Sequence, residues 1–136
     1  MQEMTVSATM DQIGPVTEFV NTQLAQLACP ERIRIQVDVA VDELFGNIVR
    51  YAYGSGTGPA TVRVDVEDEP LRVIISFVDN GVPYDPLSAE FADTTHLPAK
   101  ERPIGGLGLY MVKKTMDDIS YCYRDGQNIL TIRKSI

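Results

Sequence analysis

Met4, Val6, Ala8 and Met10 alternate with Thr5, Ser7 and Thr9, the period of a strand with one buried face. The period then changes. Ile13, Val16, Val20, Leu24 and Leu27 recur at helical spacing, and Thr9 with Gln12 fits a capping box ahead of them. Proline is tolerated only in a first turn, so Pro15 puts the start of this helix between Asp11 and Pro15. A second helix is predicted from Pro30 and Glu31 to Tyr53, where the glycine-rich GSGTG follows. Its apolar positions Ile33, Val37, Val41, Leu44, Phe45, Ile48 and Val49 cover more than one face, so it is expected to be largely buried.

Val62, Val64 and Val66 alternate with polar neighbours, whereas Leu71 to Val78 is almost continuously apolar. This contrast predicts an outer strand joined through the short DEP link to a central one. Between Gly81 and Gly105 no period is sustained and Pro83, Pro86, Pro98 and Pro103 intervene, a length that suggests a lid over 82–104. Leu107, Met111, Val112 and Met116 then define a third helix. Ile119 to Arg124 and Asn128 to Lys134 form a closing hairpin around Asp125 and Gly126. The predicted order is strand, helix, helix, strand, strand, helix, strand, strand. Helices interleaved with hairpins predict an α/β fold, a two-layer α+β sandwich whose mixed, mostly antiparallel sheet carries its helices on one face.

Composition narrows the function. The 136 residues fit one domain, 1–136, and the apolar fraction of 44% supplies one core. A net charge of -7 with no basic cluster argues against direct nucleic-acid binding. No apolar run approaches the roughly 18 residues of a membrane span and the start lacks a signal pattern, so a cytoplasmic protein is expected. Cys29 and Cys122 are far apart and form no C-x-x-C, and are read as reduced, partly buried apolar residues. A triphosphate held by so acidic a chain would rest on backbone amides, helix ends and a metal ion.

Three groupings could carry that chemistry. In VAVDELFGNIVRYAY, Glu43 and Asn47 share one helix face and Arg50 continues the stripe. Functionally, Asn47 is an oxygen ligand for magnesium and Glu43 a general base. Structurally, the stripe is solvated and Glu43 pairs with Arg50, which is the commoner arrangement for such spacing. In VDNGVPYDP, Asp79 at a strand end can accept hydrogens from an amine such as that of adenine, and Gly81 can admit a flat base. The same residues are also ordinary turn chemistry. In IGGLGLYMVKK, Gly105, Gly106 and Gly108 open a helix, where free amides make an anion site, although glycine also serves tight packing. Neither the P-loop nor the dinucleotide fingerprint applies. His96 has no flanking acid and is read as a loop residue.

Taken in order, E-x-x-x-N, D-x-G and G-G-x-G-L resemble the boxes of the ATPase superfamily that includes gyrase and histidine kinases. Within it, DELFGNIVRYAY, DNGVPYDP and GGLGLYMVKKTMDDISYCYRDGQNILTIRK are similar to the anti-sigma-factor serine/threonine kinases over nearly the whole chain. The resemblance implies three helices on one sheet face and ATP and Mg2+ as cofactors. It implies Glu43 as catalytic base and Asn47 as metal ligand. Asp79 and Gly81 become adenine contacts, and Gly105, Gly106, Leu107 and Gly108 the phosphate turn, with Arg102 reaching the phosphates from the lid. It also implies an anti-anti-sigma-type protein substrate, a sigma factor as second partner, and a homodimer. Tyr51, Pro83 and Asn128 depart from the family's usual histidine, glycine and threonine. An ATP-binding module that sequesters its partner without transfer, and a scaffold whose glycines only permit packing, compete with the kinase reading.

Overall fold

A computed structural model of the chain describes residues 1–87 and 106–136. Within them, Gln2–Ser7 is β1 and a short 3-10 turn at Met10–Gln12 leads into α1, Ile13–Gln26. Next come α2, Glu31–Tyr51, β2, Pro59–Glu67, and β3, Arg72–Asp79. Then follow α3, Gly106–Thr115, β4, Asp118–Arg124, and β5, Gln127–Ser135. The predicted order of elements holds. The sheet is ordered β1-β2-β3-β5-β4, and every neighbouring pair is antiparallel.

Two local expectations are corrected. The first strand stops at Ser7 rather than continuing to Met10, because Ala8 turns inward, with its amide on the Gly58 carbonyl at 2.8 Å, and Met10 is exposed. Thr9 caps no helix amide; its hydroxyl bonds the Asp11 carboxylate, since the 3-10 turn moves the α-helix start to Ile13. That hydrogen bond lowers the Asp11 carboxyl below its ordinary value. Pro15 accordingly lies in the first turn of α1, where its missing N–H has no intrahelical partner to lose.

β2 is not an outer strand. β1 pairs along it, Met4 opposite Val62 and Val6 opposite Ala60, so β1 and β4 form the edges. The alternation in β2 reports two chemically different faces, not an edge position. Val62, Val64, Val73, Ile75, Phe77, Leu130 and Ile132 point to one face. There they join Val16, Val20 and Leu24 of α1, Val37, Val41, Leu44 and Phe45 of α2, and Leu109 and Val112 of α3 in one core. Burying a side chain of this kind stabilises the fold by about 1.5–3 kcal/mol, which is why α1, α2 and α3 gather on that face.

The opposite face is held by cross-strand polar pairs: Thr5 with Thr61 at 2.9 Å, Ser76 with Thr131 at 3.0 Å, and Arg63 with Glu3 at 3.1 Å. Cys122 is exposed rather than partly buried, and both cysteines are free. The β4–β5 turn has positive φ at Asp125 (54°) and Gly126 (77°), the geometry that a two-residue hairpin of Asp-Gly favours. Among the described residues no helix is long and apolar enough to cross a membrane.

Candidate nucleotide site

Pro30 caps α2 in extended conformation, Glu31 lies in its first turn and Arg50 in its last, charges that suit the two ends of a helix dipole. Its inner face, Ile33, Val37, Val41, Leu44, Phe45 and Ile48, is buried, while Ile35 and Val39 face solvent. Asn47 lies among the buried residues at 6% exposure, although it is polar. Such a group needs a partner or a ligand.

Asn47 has half of what it needs. Its Oδ1 accepts a hydrogen bond from Arg50 Nη2 at 2.9 Å, while its Nδ2 is buried without a partner among the described residues. One turn earlier, Glu43 Oε1 is also buried without a hydrogen bond among the described residues, and Arg50 Nη2 stands 3.9 Å from it. Burial raises the Glu43 carboxyl above its ordinary value; Arg50 opposes this and Asp42 adds to it. The stripe is enclosed rather than solvated, but the expected pairing of Glu43 with Arg50 is present as an ion pair at 3.9 Å, a contact too long to be a hydrogen bond.

The third grouping meets the first. A Cβ placed on Gly108 would fall 2.1 Å from Glu43 Oε2, so the start of α3 seats directly on the Glu43 carboxylate. Tight packing of helix on helix thus explains Gly108. Gly106 and Leu107 open the same helix, while Gly105, Arg102, His96 and the rest of the 82–104 stretch beyond residue 87 lie outside the described residues.

The second grouping closes the other end. Asp79, at 6% exposure, ends β3 opposite Asn128 of β5. Its Oδ1 accepts from the Gly81 amide and from Asn128 Nδ2, both at 2.9 Å. Gly81 is required by the backbone itself: a Cβ there would lie 2.1 Å from the Ala52 carbonyl oxygen at the end of α2. The close approach that this glycine permits is that of a helix end, where the sequence suggested a base. The Val82 amide then donates to that same carbonyl at 2.9 Å.

Two further residues shape this end. Asn128 Nδ2 also donates to the Val82 carbonyl at 2.8 Å, and its Oδ1 accepts from the Tyr84 amide at 3.0 Å and from the Tyr121 hydroxyl. Tyr53 Oη accepts from the Asn80 amide at 2.8 Å and donates to the Pro59 carbonyl at 2.5 Å. Burial raises the Tyr53 phenol above its ordinary value. In the sequence reading Asn128 opened the last strand and stood as a departure from the family, and Tyr53 only marked a helix end; neither was named as a site residue. A polar residue at an inward position of β5, in register with Leu130 and Ile132, was the available signal for the first. Tyr53 had none, being one of two tyrosines around a helix end.

Between the two ends lies a hollow with about 410 Å³ of atom-free space, part of it open to solvent. Leu44, Ile48, Phe77 and Leu130 give it an apolar floor, Asn47, Asp79 and Asn128 polar points, and Tyr84, Pro86 and Tyr121 further walls. Tyr51 and Tyr84 stack with ring centroids 5.1 Å apart. An apolar cavity with a few convergent polar groups is the ordinary form of a small-molecule site. Asn47 and Asp79, taken from separate sequence groupings, share one cavity.

Residues 6–134 match the family model described as histidine kinase-like ATPase domain. The chain belongs to the histidine kinase-like ATPase family. Among curated proteins it is 33% identical over 101 residues to the serine/threonine-protein kinase BtrW of Bordetella bronchiseptica, covering 74% of this chain and 70% of that one. It is 30% identical over 95 residues to the serine-protein kinase RsbW of Bacillus cereus, covering 68% of this chain and 58% of that one. The alignment thus spans less than two thirds of the RsbW chain. The histidine kinase AdeS of Acinetobacter baumannii superposes with a TM-score of 0.49 at 14% identity, over 99% of this chain and 68% of that one.

The donor set fits magnesium. Mg2+ is commonly held by one or two protein oxygens together with phosphates and water, so a cage of carboxylates is not required. Among the described residues no group of three or more His, Cys, Asp or Glu is gathered. Asn47 Oδ1, which here accepts from Arg50, is an oxygen of the kind that Mg2+ uses, and beside it Glu43 Oε1 is buried without a hydrogen bond among the described residues.

Proposed function

We propose that this histidine kinase-like ATPase domain is an ATP- and magnesium-dependent protein serine/threonine kinase. Its substrate is a small anti-anti-sigma-type protein, and it also acts as an anti-sigma regulatory factor, working as a cytoplasmic homodimer. The observation that supports this most is the single cavity that has Asp79 at one end and Asn47 at the other, with Glu43 beside Asn47 against Gly108. The relatives named as serine kinases support the choice of reaction.

Asp79 has Oδ1 saturated, which turns its remaining acceptor capacity to the amine of adenine, and the apolar floor takes the ring. Asn47 holds magnesium, which when bound neutralises phosphate charge. The amides at the start of α3, from Gly106 through Gly108, with Gly105 and Arg102 ahead of them, hold the phosphates. Glu43 orients a partner's serine or threonine hydroxyl and takes its proton as the oxygen attacks the terminal phosphorus and the bond to ADP breaks. A carboxyl raised by burial is better matched to that proton transfer than an ordinary surface acid. Positioning and electrostatics supply most of the acceleration in phosphoryl transfer, so few side chains suffice.

Purified chain incubated with labelled ATP, magnesium and an anti-anti-sigma-type protein tests the reading. Phosphate on the partner's serine or threonine is expected. Nucleotide binding with an unlabelled partner would instead give a sequestering module. No rise in melting temperature with millimolar ATP and magnesium would remove the nucleotide altogether, because a ligand of the native state must stabilise it by mass action.

A further inference from the structure

Arg50 has no part in the scheme above, yet it touches both groups assigned to metal and proton chemistry. Its Nη2 donates to Asn47 Oδ1 at 2.9 Å and stands 3.9 Å from Glu43 Oε1. A guanidinium has only donors, so the Asn47 atom facing it must be the oxygen, the same atom that a metal would use. The arginine head is laid back along α2 over Gly46, where a Cβ would come 3.2 Å from Nη1, and its Cζ is 5.9 Å from the Tyr51 ring. It is about one-third exposed.

We infer that Arg50 is a built-in cation competing with magnesium for Asn47 Oδ1 and the field of Glu43, so that it sets the metal dependence of nucleotide binding. This rests on the proposed nucleotide site. Two positive charges cannot share one carbonyl oxygen and one enclosed carboxylate without strong repulsion. A metal arriving at Asn47 must therefore push the guanidinium away from Oδ1, leaving it the face of Tyr51 over which it already lies, a ring itself stacked on Tyr84 at the cavity wall. The coupling between magnesium and ATP is weakened by whatever this displacement costs. Arg50 is thus a regulator of the metal site, distinct from the phosphate-holding groups at the start of α3.

The measurement is the ATP dissociation constant of the full chain in excess magnesium and in EDTA, for wild type, Arg50→Met and Arg50→Gln. The constant in EDTA divided by the constant in magnesium is the coupling, and couplings between sites commonly span about 5- to 150-fold. Both variants are expected to raise that ratio by about fivefold or more. A ratio that is unchanged or smaller in both overturns the inference, and a smaller one makes Arg50 a support of the metal site. Wild type that binds no ATP in magnesium overturns the nucleotide reading itself, a result distinct from an unaltered ratio.

Discussion

The two ends of the cavity satisfy their polar atoms very differently. At the β3–β5 end, Asp79, Asn128, Gly81, Tyr84 and Tyr121 exchange hydrogen bonds until Asn128 has both amide hydrogens and its oxygen engaged. At the α2 end, Asn47 Nδ2 and, next to it, Glu43 Oε1 are buried with nothing bonded to them among the described residues. A finished network holds a shape, whereas an unfinished one stores a demand that a ligand can meet, because each unsatisfied buried group costs about 1–3 kcal/mol. Under the proposed function, the first end is built to be rigid and the second to react.

The largest expected effect breaks the reactive end alone. Glu43→Gln should lose at least ~100-fold in phosphate transfer to a partner while retaining ATP binding, measured by labelled transfer beside a binding titration. Transfer at the wild-type rate would take Glu43 out of the chemistry. Next, Asn128→Ala should strip the rigid end of its hub and destabilise the fold by about 2 kcal/mol in urea unfolding, since several buried groups lose partners together. A change under about 0.5 kcal/mol would show that end to be no more settled than the other.

A second readout on Glu43→Gln sharpens the contrast through pH. Burial raises the Glu43 carboxyl, so the folded chain holds that proton more tightly than the unfolded chain does. Its contribution to stability is fully present below the ordinary glutamate value and is lost as pH rises through the raised one. Glu43→Gln should therefore stabilise the protein at neutral pH by about 1 kcal/mol, the usual gain where a site trades stability for function. The advantage over wild type should shrink as pH falls through that window. An advantage independent of pH would show that proton linkage is not its source. The smallest effect is expected on the far face of the sheet. Arg63→Ala removes a solvent-exposed pair with Glu3 and should cost under about 1 kcal/mol in the same unfolding assay.

Much of this was legible in the chain. Periodicity gave the order of elements and the near-continuous run of β3, and it placed Glu43 and Asn47 on one helix face, because those signals are local. Asp125 and Gly126 announced their turn for the same reason. What escaped depends on register between distant segments. The Asn128–Asp79 bond spans 49 positions and Tyr53 Oη to Asn80 spans 27. Gly81 and Gly108 were visible as glycines, but which backbone or carboxylate approaches them is decided by how α2 lies across the sheet. β2 was misjudged as an outer strand because alternation describes the faces of a strand and is silent about its neighbours.

Both ends of the cavity hang on one rod. Glu43 and Asn47 ride in the body of α2, while Ala52 and Tyr53, just past its end, clasp the segment after β3. From Glu43 to Ala52 the helix acts as a ruler of nine steps, about 14 Å at 1.5 Å each. Exchanging side chains on its wet side leaves that measure alone. Inserting or deleting one residue would shift it by about 1.5 Å and swing everything beyond by about 100°. This stretch should therefore accept new letters more readily than a new length.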